Sequence, residues 1–121
     1  MYNIILQETD LIDETHFPAI ALINEAFNSN PLEFVNNLSN GIGSAYNYTN
    51  CSFWNELDDY EKSNITRFDG LMVDTEDNER TVISIKDLIY YLEIACQRLV
   101  NTGFKETETL KTAINALKSK S

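Results

Sequence analysis

Between Ile65 and Asn101 the spacing of apolar residues changes once, from every second position to every third or fourth, and that change commits the chain to a mixed fold. The runs ITRFDGLMVD (65–74) and RTVISI (80–85) alternate, and the polar connector Thr75–Glu79 has hairpin length. Ser84-Ile85-Lys86-Asp87 then has the form of a capping box, whose Ser oxygen and following acid satisfy backbone amides at a helix start. At roughly 100° per residue, Ile85, Leu88, Ile89, Leu92, Ala95, Cys96, Leu99 and Val100 share one arc of about 140°. This predicts a helix running to about Asn101 and stopping near Gly103. Tyr90 and Ile94 fall opposite that arc, so the helix is expected at the centre of the fold, partly covered on both faces.

Flanking patterns fill in the rest. Pro18 opens a helical pattern with Ile20, Ile23 and Phe27 at helical spacing and Ala19 and Ala26 beside them. Asn30-Pro31-Leu32-Glu33 reads as a second helix start, with Leu32, Val35 and Leu38 turned inward. Tyr2–Leu6 suits a short strand or an anchored terminus, and Ala45–Cys51 a strand or an irregular loop. Ser52 is placed to cap a turn of helix, and a final helix over about Glu106–Lys118 buries Leu110, Ile114 and Leu117. A chain of 121 residues is one domain, and this order predicts an α+β fold: a small antiparallel sheet covered by helices.

Charge is distributed unevenly. Residues 1–61 hold ten acids and no Lys or Arg, whereas residues 62–121 hold nine acids and nine bases, so the net charge of −10 belongs to the first half. Repulsion argues against nucleic acid or anionic membrane as a partner, and solubility or a cationic partner accounts for the excess. No apolar run approaches the ~20 residues of a membrane span. The start, MYNIILQETD, lacks a basic region followed by a long apolar one, so the cytosol is the expected location. Asn-x-Ser/Thr triplets at Asn37, Asn47, Asn50 and Asn64 then reflect Asn-rich composition, and Cys51 and Cys96 are expected as free thiols.

The residue types of catalysis are sparse. The single histidine, His16, has no carboxylate at ligand spacing and reads as a surface or capping residue. Cys96 falls on a buried helix face, and Cys51 is the more open of the two but lacks a cation to activate it. Asp58 and Asp59 are neighbours, which on a helix point about 100° apart rather than into one cleft. Asp74, Glu76 and Asn78 imitate the first ligands of a calcium loop, but Glu79 stands where Gly is needed and Ile85 where Glu is needed. No Gly-rich phosphate loop exists, so neither enzyme nor cofactor or metal site is expected.

Surface recognition remains. FWNELDDYE (53–61) packs four carboxylates and three aromatic rings into nine positions without a cation. Trp54 and Tyr60 are residue types that anchor interfaces, and Glu56, Asp58, Asp59 and Glu61 surround them with negative potential. The same stretch read as a structural turn buries Phe53, Trp54 and Leu57 and leaves its acids in water. Asp10, Asp13 and Glu14 form a second acidic clump in the base-free half.

Residues 50–120 carry a family likeness. Phe68 and Gly70 in RFDG, the acidic hairpin tip, Ile83 and Ile85, Asp87-Leu88, Tyr91-Leu92 and Ala95-Cys96, with Cys51-Ser52-Phe53 upstream, resemble the ribonuclease-toxin immunity proteins of bacterial contact-dependent growth inhibition systems. Thr102-Gly103-Phe104-Lys105 stands where that pattern has a proline between the last two helices. The resemblance implies a cytosolic antidote, monomeric alone, that binds one toxin nuclease one-to-one and covers its basic cleft. Glu56, Asp58, Asp59 and Glu61, with the rings of Trp54 and Tyr60, are then the expected contacts, followed by Asp10, Asp13 and Glu14. The alternatives are an acidic adaptor or assembly protein with no toxin partner, and a hydrolase or metal enzyme built on converging carboxylates.

Overall fold

Two hairpins join into one sheet. In the computed structural model of the chain, which describes residues 3–120, β1 (Ser44–Ala45), β2 (Thr49–Ser52), β3 (Leu71–Thr75) and β4 (Arg80–Ile83) lie side by side in that order, every pair antiparallel. Cys51, Val73 and Thr81 are aligned across the strands, as are Leu71 and Ile83, and all five are buried on one face. α1 (Phe17–Ser29) packs on that face, against β2, β3 and β4. α2 (Pro31–Ser39), α4 (Ile85–Val100) and α5 (Thr107–Lys118) complete the helical side, α5 lying on both α2 and α4. The architecture is α+β, with the hairpin where alternation predicts it.

The central helix is α1, not α4. Pro18, Ala19, Ile20, Leu22, Ile23, Asn24, Ala26 and Phe27 are all buried, which encloses α1 nearly all round. α4 keeps one open side, where Tyr90 is 44% exposed. An apolar arc measures how much of a helix wants burial; which helix the sheet selects depends on close approach, and the small Ala19 and Ala26 permit it in α1. Within α2 the buried ring is Phe34, fully enclosed together with Val35, whereas Leu32 is only half-buried. Strand β3 begins at Leu71, so the alternating residues 65–70 lie outside the sheet.

Those residues have a different job. Met72 points away from α1 and is covered by Leu57 and Phe68, with Trp54 and Ile65 packed around them, as a second small core on the outer face of the sheet. The chain between β2 and β3 therefore crosses that face. It does so through a 3-10 turn, Trp54–Glu56, and a short α3 (Asp59–Asn64), whose cap is Asp58 rather than Ser52, the last residue of β2.

Residues 3–16 form a strap without strand pairing, the anchored alternative; Tyr2 of the expected stretch lies outside the described residues. Side chains replace the missing backbone partners. Asn24 Oδ1 accepts from the amides of Ile5 (3.1 Å) and Leu6 (2.8 Å), and its Nδ2 donates to the Leu6 carbonyl (3.0 Å). Asn28 brackets Asn3 the same way, at 2.7 Å on each side. Arg98 of α4 donates to the Ile5 carbonyl (2.9 Å) and, through two nitrogens, to both carboxylate oxygens of Asp10.

Candidate acidic interface

The acids of FWNELDDYE divide by what they already hold. Glu56 accepts the amides of Phe53 (2.9 Å) and of Gly43 (2.9 Å to Oε1), closing the turn and tying it to the chain before β1. Asp58 accepts the Glu61 amide (2.7 Å) and Glu61 accepts the Asp58 amide (3.2 Å), a reciprocal box that starts α3. Each of these three is exposed, with lone pairs to spare. Asp59 is exposed, its side chain unbonded among the described residues, and Tyr60 beside it is 77% exposed. The structure thus brings Glu56, Asp58, Asp59, Tyr60 and Glu61 onto one turn and helix, held rigid by their own backbone bonds.

Trp54 faces partly inward. It meets Phe68 edge-on at 5.4 Å, and Lys62 Nζ (5.8 Å) and Arg67 Cζ (5.4 Å) approach its ring. The cluster that lacks a cation in sequence is bordered by two in space, both from beyond residue 61. Glu61 also contributes to the field that favours the charged form of Arg80, after the bidentate Asp74 carboxylate that holds it (3.1 Å to Nη2). This pairing occupies Asp74 of the hairpin tip, and among the described residues no three His, Cys, Asp or Glu side chains converge as a metal would need.

The second clump lies elsewhere, on the strap held by α1 and α4. Asp10 is largely buried beneath Arg98, whose hydrogen bonds hold its carboxyl below the usual carboxylate range. Among the described residues it is the one expected acidic contact already paired with a cation. Asp13 takes the Thr15 hydroxyl (2.7 Å) and amide (2.9 Å), which lower its pKa, and stays exposed, as does Glu14. A group whose folded pKa is depressed contributes stability above its unfolded pKa and loses it as pH falls through the folded value. Asp10→Asn is therefore expected to cost about 1–2 kcal/mol at pH 7. In urea unfolding the gap from the unaltered protein should persist at pH 5 and close only below the ordinary value of 3.8. A gap independent of pH would show that the ion pair is not its source.

Two further expectations are revised. His16 is buried, 7% exposed, with Nδ1 2.9 Å from the Tyr91 hydroxyl. That hydroxyl also accepts the Ile12 amide (3.0 Å), and the other ring nitrogen, Nε2, lies 4.0 Å from Asp87. The histidine is a pin for the strap. Cys51 is buried in β2, where burial pushes its thiol up to about 12, and burial likewise raises Cys96, so both are inert as nucleophiles.

Residues that sequence reading missed are the fasteners: Asn24, Arg98 and Glu25. Glu25 of α1 accepts the Tyr48 amide (3.0 Å) and the Thr49 hydroxyl (2.7 Å) to hold the first hairpin. A polar residue amid apolar ones, as Asn24 stands in ALINEAF, is the one signal of the set.

A family profile described as CDI immunity protein matches residues 9–114. It covers the second half of the strap, α1 and α2 as well as most of the C-terminal elements that carry the resemblance in sequence. A search of curated proteins returned no match. Among the described residues no helix is long and apolar enough to cross a membrane.

Proposed function

The chain belongs to the CDI immunity protein family, and on that premise we propose that it neutralises a cognate toxin nuclease, a ribonuclease, by laying an acidic surface over the toxin's basic active-site cleft. The observation that carries this reading is the presentation of Asp59 and Tyr60. They stand exposed on α3, whose neighbours Glu56, Asp58 and Glu61 are oriented by backbone bonds, so little ordering is left to be done on binding.

A ribonuclease binds phosphates with cationic side chains, and carboxylates held in a fixed array occupy the same positions electrostatically. Opposite fields raise the encounter rate, by roughly 10 to 10³ over a neutral pair. Trp54 supports the array from below, and Tyr60 is the ring available for a toxin pocket. The protein acts in the cytoplasm as a monomer, pairs one-to-one and performs no chemistry of its own.

The test uses the cognate toxin domain, sought in the open reading frame next to the gene for this chain. RNA cleavage by that domain is expected to stop when the two are mixed at equal concentration, and a single one-to-one complex should elute on gel filtration. Undiminished cleavage at a several-fold excess of this protein overturns the proposal.

A further inference from the structure

The strap presents a surface that the acidic array on α3 does not include. Leu11, Ile12 and Phe17 floor an open cleft of about 480 Å³, and Glu8, Asp13 and Glu14 stand on its rim. The floor is exposed to an unusual degree for aliphatic and aromatic side chains, 53% at Ile12 and 39% at Phe17. Neither is loose: Ile12 is tied through its amide to Tyr91, and Phe17 opens α1. Among the described residues no cation lines the cleft, and Arg98, which holds the strap, has both terminal guanidinium nitrogens on Asp10.

We propose that this cleft is a second docking point for the toxin, and that it takes a lysine- or arginine-bearing segment whose aliphatic stem lies on Ile12 and Phe17 while its charged head meets Glu8, Asp13 and Glu14. The chemistry selects that occupant. A wholly apolar segment would strip water from three carboxylates without replacing it, and an anionic segment would be repelled. Lys and Arg combine three or four methylenes with a cationic end, the pattern that floor and rim display. Because the strap is fixed by Asn24, Asn28, Tyr91 and Arg98, the cleft exists before any partner arrives.

This inference rests on the immunity reading above, and the experiment separates the two. Binding of the neighbouring toxin domain is measured by calorimetry for the unaltered protein, Glu14→Lys, Glu8→Lys, Ile12→Ser and, on α3, Asp59→Lys. Among the described residues the side chains of Glu8 and Glu14 make no hydrogen bond or ion pair, so their reversal is expected to leave folding intact, as circular dichroism will verify. Glu14→Lys and Ile12→Ser are each expected to weaken binding about ten-fold, with Glu8→Lys close behind. If all three strap variants bind as the unaltered protein does while Asp59→Lys is weakened, the cleft is not a docking point and the immunity reading stands. If the unaltered protein fails to bind the toxin at all, the functional reading fails and takes the cleft's assigned partner with it.

Discussion

Gly70→Ala is expected to remove about 3–5 kcal/mol of stability, a large share of the roughly 5–15 kcal/mol that holds a domain folded. Gly70 sits at φ +90°, a left-handed conformation that strains any residue with a side chain. A Cβ there would also overlap the Ile83 carbonyl oxygen and lie 3.2 Å from Ser84 Cα. Neither neighbour can yield, because Ile83 is fully buried and paired with Leu71, and Ser84 caps α4 by accepting the Asp87 amide (3.1 Å). Gly103 provides the control. It has almost the same φ, +91°, but open space where its Cβ would be. Gly103→Ala should cost only about 1 kcal/mol, the left-handed term alone. Equal losses at the two positions in urea unfolding would mean that the contact with β4 contributes nothing.

The second large effect is on toxin association and is divided between two neighbours. Asp59→Lys should lower the association rate about ten-fold at low salt and flatten its dependence on salt, because it reverses a charge in the steering field. Tyr60→Ala should act on dissociation, costing about 2 kcal/mol or some 30-fold in affinity, as loss of an exposed aromatic anchor does. Among the described residues neither side chain has a hydrogen-bond or ion-pair partner to lose, so Tyr60→Ala should leave stability unchanged, and Asp59→Lys should cost at most about 1 kcal/mol, from placing a cation in the first turn of α3. Asp58 is a poorer probe: reversing it also removes the cap of α3, about 1 kcal/mol of local stability. An association rate unchanged by Asp59→Lys at low salt rules out α3 as the steering surface, even if the protein still binds.

Several elements were readable before the fold. The hairpin around Thr75–Glu79, the Ser84 cap and the arc of α4 each use local geometry, so they survive into the structure, although the first strand of that hairpin starts at Leu71 rather than Ile65. Asn30 caps α2 by accepting the Glu33 amide, as the spacing predicts. Where local pattern misled, a distant partner had intervened. Phe68 continues the alternation yet leaves the sheet, because Gly70 breaks the strand and Trp54 offers a ring to pack against. His16 reads as a surface or capping residue; it does hold the N-cap position of α1, without a side-chain cap bond, but its burial was not legible because its partner, Tyr91, is 75 positions away.

The candidate interface shows the same division more sharply. Sequence order placed carboxylates and aromatic rings together in residues 53–61, and covalent proximity guarantees that such a cluster stays together in any fold. Which members face outward was not readable. Glu56, Asp58 and Glu61 bind local amides, Asp10 is claimed by Arg98 from 88 positions away, and Trp54 turns in toward Phe68.

The amino-acid order by itself determined the α+β class, the helix starts at Asn30 and Ser84 and the concentration of negative charge in the first half, since all three follow from spacing and composition. Only the tertiary structure decided which helix lies at the centre, which acids are bound internally and which stand free, and that an irregular strap is held shut by side chains of α1 and α4. The reason is that hydrogen bonds and packing between distant segments satisfy each group without regard to its place in the chain.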